Sequence, residues 1–141
     1  HAIWGKHSLF EESLRSPLIV VAPGPGKFTG KPTDAIVETV DIFPTICDLA
    51  NLAPPTNLPG TSLRPHLRDP AAPGHSAISY KGGAETIRTG RYRLIRHSKG
   101  GTATHLELYD HEKDPGETEN IAGAMPDLAR DLSRKLDARL K

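Results

Sequence analysis

The chain has one cysteine, Cys47, so an internal disulfide and a cysteine-rich zinc site are both excluded. It lies at helical spacing among Phe43, Ile46 and Ala50, the setting of a small buried hydrophobe rather than a reactive thiol. Surplus charge is also missing. Eighteen basic against seventeen acidic side chains leave a net charge of +1, too little to draw the whole molecule to nucleic acid or to an anionic membrane. Any anion binding must therefore be local. No apolar run reaches the roughly 18 residues that a spanning helix needs, and Pro17-Leu-Ile-Val-Val-Ala22 is of strand length. Neither an initiator Met nor a charged-then-apolar leader stands at His1, so the expectation is a piece of a longer protein.

What is present divides into two textures. Pro17 to Ala22 is a continuous apolar run between prolines, the pattern of a strand buried on both faces of an α/β sheet. Pro23 to Pro32 alternates ring-locked and permissive residues and predicts an exposed turn region. Its Gly26-Lys27-Phe28 is no phosphate loop, which would need Ser or Thr after the lysine and a helix opening there. Val37, Val40, Phe43, Ile46, Cys47 and Ala50 form a helical stripe. Pro44 is compatible with it if Asp41 is the N-cap, because the first turn has no intrahelical N–H bonds to lose. Pro54-Pro55 is expected to end that helix. A short helical turn is predicted over Leu63 to Leu67, capped by Thr61 or Ser62.

From Ser76 the period changes. Ser76–Tyr80, Glu85–Thr89, Tyr92–His97 and His105–Tyr109 predict four strands separated by Gly82-Gly83, Gly90 and Gly100-Gly101, with Gly90 expected at positive φ. Asp114-Pro-Gly-Glu117 predicts a turn with Gly116 in the left-handed position. A last helix begins with Pro126 at its first position and carries Leu128, Leu132, Leu136 and Leu140 on one broad, drifting face.

Three strings, in order, resemble type I sulfatases of the alkaline phosphatase superfamily, especially the iduronate-2-sulfatase-like branch. They are W-G-K-H-S-L-F-E-E with the following S-P-L-I-V-V-A-P-G, then V-E-T-V-D-I-F-P-T-I-C-D-L-A-N-L, then I-R-T-G-R-Y-R-L-I with E-L-Y-D-H-E-K-D-P-G-E-T-E-N-I-A. The resemblance implies an α/β fold. Residues 1–72 would form the edge of the large α/β sheet, and residues 73–141 a small four-stranded antiparallel sheet packed with a C-terminal helix. It further implies hydrolysis of a sulfate ester, as on a sulfated carbohydrate, by a formylglycine nucleophile and calcium. Lys6 matches the family lysine that contacts the sulfate and its bridging oxygen, and is the catalytic candidate. His7 and Trp4 are candidate substrate contacts beside it. Tyr80 and Arg88, at the start of the small sheet, are further candidates, Arg88 for pairing a sugar carboxylate bidentately.

The working parts that are missing weigh as much. The family's nucleophile arises from a cysteine in C-x-P-S-R, and Cys47 lies in T-I-C-D-L-A. The calcium carboxylates of the family come from upstream, so no metal ligand is assigned here and this chain alone is expected to hold neither cofactor and to be inactive. Its first partner would be the N-terminal part of the same protein, and family habit points to a periplasm, lysosome-like lumen or secretion. Two other readings remain open on these residues: a phosphonate or phosphodiester hydrolase of the same superfamily, and a non-catalytic anion- or glycan-binding module using Lys6, Lys27 and Lys31.

Overall fold

The computed structural model describes residues 7–22 and 30–140. Its elements are α1 (Glu11–Leu14), a 3-10 turn (Thr39–Asp41), α2 (Ile42–Leu49), α3 (Arg64–Arg68), β1 (Ala77–Lys81), β2 (Ala84–Arg88), β3 (Tyr92–Lys99), β4 (Thr102–Asp110) and α4 (Pro126–Arg139). They fall into two compact units, one of residues Leu18–His75, the other of the described residues up to Pro17 together with those from Ser76 onward.

In the second unit the four strands form an antiparallel sheet in the order β1-β2-β3-β4, a meander of hairpins. Gly100 and Gly101 take φ of 58° and 79° in the β3–β4 connection, the paired positive values that suit a two-residue hairpin to strand twist. Gly90 does not adopt positive φ, contrary to expectation, because Thr89, Gly90 and Arg91 make a longer connection closed by Thr89 N–H to the Tyr92 carbonyl at 2.8 Å.

Alternation sorts the side chains of this sheet onto two faces. Ile87, Leu94 and Leu108 bury completely against Ala129, Leu132 and Leu136 of α4. The buried stripe of α4 is therefore 129, 132 and 136 rather than leucine at every fourth residue, and Leu140 is 38% exposed. A spacing of four overshoots the helical turn, so its ends rotate off the packed face. The opposite face of the sheet carries Ile95 and Tyr109, covered by Leu9 with Phe10 at its margin.

In the Leu18–His75 unit α2 begins as expected, with Pro44 in its first turn. Asp41 stands at the N-cap position but makes no side-chain cap bond to the helix, contrary to expectation. Fully buried, its carboxylate accepts the Glu38 N–H (2.7 Å), the Thr61 N–H (2.8 Å) and a bond from His75 Nε2 (2.8 Å). Gly60 is what lets the residue-61 loop come so close, since a Cβ there would meet the Val40 carbonyl oxygen at 2.2 Å. The helix ends earlier than its prolines require: Asn51 adopts φ 55°, Leu52 N–H reaches the Cys47 carbonyl at 2.8 Å and Asn51 N–H that of Asp48 at 3.2 Å, which is the Schellman arrangement.

Two expectations fail in this unit. Residues 17–22 form no strand, and Ile19 and Val21 are 86% and 88% exposed. A strand needs neighbours for its N–H and C=O groups, and among the described residues none pairs with this run. The α2 stripe also turns outward: Pro44, Thr45 and Cys47 are buried while Phe43 and Ile46 are 51% and 57% exposed. The polar Thr45 is inside because its hydroxyl donates to the Asp41 carbonyl and accepts the Leu63 N–H.

Burial raises the pKa of Asp41, but the Glu38 and Thr61 N–H groups and His75 outweigh it and hold the carboxyl below its ordinary value. A depressed folded pKa contributes stability that is fully present above the unfolded value, about 3.9, and is lost as pH falls through the folded one. Asp41→Asn leaves one N–H without its acceptor and should cost about 1–3 kcal/mol at neutral pH. The difference between parent and variant should shrink below about pH 4. Urea unfolding at pH 7 and pH 3 measures both; a pH-independent difference would show that the charge does not matter.

Candidate functional site

The segment that follows the Lys6-His7 pair lies on the sheet face away from α4. Lys81 Nζ donates to the His7 carbonyl, Leu9 is buried against Ile95 and Tyr109, and the Phe10 ring meets Tyr109 edge-on at 6.0 Å. The chain then turns into α1, whose first residue enters a cluster of charges.

At the centre of that cluster is Arg93, an arginine that strand alternation sends to the covered face of β3, where it is 1% exposed. Its Nε donates to Glu117 Oε1 at 2.5 Å, its Nη2 to Glu11 Oε2, and its Nη1 to Thr86 Oγ1 at 3.3 Å. Glu117 is as deeply buried. Its Oε1 also receives His111 Nε2 at 2.8 Å, and its Oε2 accepts the Glu11 backbone N–H at 2.7 Å. Arg88 Nε approaches Glu11 Oε2 at 3.4 Å. Burial raises the Glu11 pKa, but Arg93 and Arg88 outweigh it and keep the carboxyl below its ordinary range. For Arg88, burial and then the like charge of Arg93 lower the pKa against the pull of Glu11.

The turn that delivers Glu117 differs from expectation. Glu117 itself takes the left-handed position, φ 54°, while Gly116 does not. Asp114 holds the turn, accepting the Thr118 and Glu119 N–H groups at 2.6 and 2.8 Å. A non-glycine residue at positive φ persists where its surroundings over-determine it, and here three bonds to the Glu117 carboxylate and the two to Asp114 do so.

Of the candidate residues, Lys6 and Trp4 lie outside the described residues, as does Lys27. His7 is exposed and held by its carbonyl; Lys31 is exposed. Arg88 and Tyr80 are not brought together. Tyr80 pairs with Glu85 and shares the α4 side with Ile78 and Ile87, whereas Arg88 projects to the other side, beside Glu11. Tyr80 is 75% exposed and Arg88 is committed to Glu11 and the Thr89 carbonyl. Asp110, whose neighbour His111 joins the cluster, is gripped through Arg91 Nε and Nη2 at 2.8 and 2.6 Å, a fork that holds its pKa low. Arg93 and Glu117 escaped the sequence reading. The signal was an arginine inside the strand pattern Tyr92-Arg-Leu-Ile95, which on a covered face demands a carboxylate.

A family model described as N-sulphoglucosamine sulphohydrolase, C-terminal, matches residues 1–141, the whole chain. The chain belongs to this family. Mouse arylsulfatase K is 32% identical over 150 residues, covering 96% of this chain and 27% of that protein. Delta 4,5-hexuronate-2-O-sulfatase of Bacteroides thetaiotaomicron is 35% identical over 135 residues, covering 86% and 27%. A protein solved in complex with its substrate D-glucosamine-2-N,6-O-disulfate superposes with a TM-score of 0.58 at 27% identity, covering 70% of this chain and 22% of that one. A structure from work on glycosaminoglycan metabolism by Bacteroides thetaiotaomicron shares the fold with a TM-score of 0.69 over 82% of this chain and 29% of its own. The chain thus spans about a quarter of the length of these curated relatives.

This sulphohydrolase-family chain corresponds to the C-terminal region of sulfatases, and its mixed α/β architecture of four antiparallel strands and a closing helix matches theirs. Among its described residues one trio, Glu11, His111 and Glu117, has ligand atoms close enough for a metal. It does not fit calcium. Both Glu117 oxygens already accept hydrogen bonds, and Arg93 and Arg88 balance the two glutamates, so no net negative charge is left over for a divalent cation. Cys47, buried on α2, is likewise no fit to the formylglycine signal.

Proposed function

We propose that this chain is the C-terminal quarter of a sulfatase that hydrolyses sulfate esters of a sugar, with Lys6 as its contribution to the reacting centre. The sulphohydrolase family match across all 141 residues carries the reading. The hexuronate sulfatase relative and the neighbour bound to a disulfated glucosamine support a sulfated sugar as substrate. An ammonium beside the ester stabilises the oxygens on which charge grows as the bond to sulfur breaks, and does so most strongly where water is excluded. Formylglycine and calcium would come from the upstream part of the protein, and no step through them is assigned to residues here.

His7 and Trp4, next to Lys6, are read as sugar contacts. Arg88 is better read as part of the anchor for Glu11 than as a free sugar clamp, given its ion pair. Tyr80 has no such tie and stays a candidate on the α4 side of β1. Ile19, Val21, Phe43 and Ile46, each more than half exposed, are apolar surface that an upstream partner would cover. They weigh against the independent binding module. The sulfatase relatives weigh against the phosphoester hydrolase.

The test is an assay of the full-length protein for sulfate released from 2-O-sulfated unsaturated hexuronates and from sulfated glucosamines, with an aryl phosphodiester alongside. Sulfate release from a sugar with little phosphodiester cleavage is expected. The reverse preference would overturn the reading.

A further inference from the structure

The contacts holding residues 7–14 to the sheet converge on a pair of residues from distant parts of the chain. Glu117 grips the Glu11 backbone while Arg93 grips the Glu11 side chain, and the two grip each other. The Glu11 to Glu117 bond spans 106 residues of sequence. Neither Arg93 nor Glu117 can touch a solvent-borne substrate, both being about 1% exposed at the side chain. Glu117 is held at φ 54°, a sparsely populated region for a non-glycine residue, which a purely space-filling residue would not need. A buried ion pair is also a poor way to gain stability alone, because desolvation offsets most of its attraction. What the pair does supply is a fixed address for Glu11, four residues after His7.

We propose that Arg93 and Glu117 are positioning residues for the reaction that Lys6 serves, fixing the segment from His7 to Leu14 on the sheet through Glu11. This rests on the reading of Lys6 given above. From Glu11 the path runs through Phe10 on Tyr109, the buried Leu9 and the His7 carbonyl held by Lys81, so each intervening residue is held at one point or another. A displacement of about 1 Å in a positioning segment can cost on the order of 100-fold in rate.

The experiment uses the full-length protein with three variants: Glu11→Ala, which leaves the buried Arg93–Glu117 pair intact, Glu117→Gln, and Lys6→Ala. Amide exchange of a peptide covering residues 8–15 is measured with that of the α4 peptide as internal control, together with kcat, KM and thermal unfolding. For Glu11→Ala and Glu117→Gln the expected result is exchange at least about tenfold faster in 8–15, α4 unchanged, and kcat per folded molecule down about ten- to a hundredfold, the range set by such a displacement. A structural role alone would lower the unfolding temperature and leave kcat of the folded molecules at the parent value, and that outcome overturns the proposal. Unchanged exchange in 8–15 overturns it as well. If exchange quickens but Lys6→Ala itself leaves kcat intact, the lysine reading has failed, and the positioning role falls with it.

Discussion

Lys6→Ala in the full-length protein should lower turnover of a sulfate ester by about a hundred- to a thousandfold, the typical effect of removing one preorganised donor to developing negative charge, or ~3–4 kcal/mol of transition-state stabilisation. Thermal unfolding should hardly move. An ammonium aimed at a substrate oxygen contributes nothing to folding that water would not replace, so activity and stability separate cleanly at this position. Lys6→Arg keeps the charge but changes the donor from a compact ammonium to a planar fork, and should recover only part of the rate. Steady-state kinetics with circular dichroism on the same preparations measures both quantities. Parent-like rates in a folded Lys6→Ala protein would remove the lysine from the mechanism.

Arg93→Ala should destabilise the sheet strongly, by about 3–5 kcal/mol, because it takes the guanidinium from the buried Glu117 carboxylate and leaves it only the His111 and Glu11 N–H bonds. Removing both charges is a different matter. Arg93→Met with Glu117→Gln leaves the amide oxygen to accept the Glu11 N–H and replaces the guanidinium by an apolar chain of similar length, so the double variant should regain most of what the single one loses. Urea unfolding of the two singles and the double gives the cycle. Strict additivity would mean that the pair is two independent contacts and not a coupled unit.

Where the reading was local, residues alone were enough. Four strands, the glycine hairpin of Gly100-Gly101 and the start of α4 at Pro126 follow from alternation, backbone permissiveness and a fixed φ, all within a few residues of one another. The helix at Asp41 was legible for the same reason, yet its burial was not. Thr45 is inside and Ile46 outside because the Thr45 bonds to the Asp41 carbonyl and from the Leu63 N–H, not the apolar stripe, orient that helix. Residues 17–22 fail in the opposite way: apolar composition identifies a segment suited to a sheet interior but does not provide the neighbouring strands.

By itself the amino-acid sequence determined the order of elements in the small sheet and the motif strings that place the chain in a sulfatase family. Only the tertiary structure decided that Glu11, Arg93 and Glu117 form one charge cluster, that Arg88 belongs to it, and that Tyr80 faces the other way. The physical reason is range. Turn and strand preferences act between near neighbours, whereas the partner of a buried charge is chosen by which distant segments the packed sheet brings within hydrogen-bonding distance, and no spacing in the string encodes that distance.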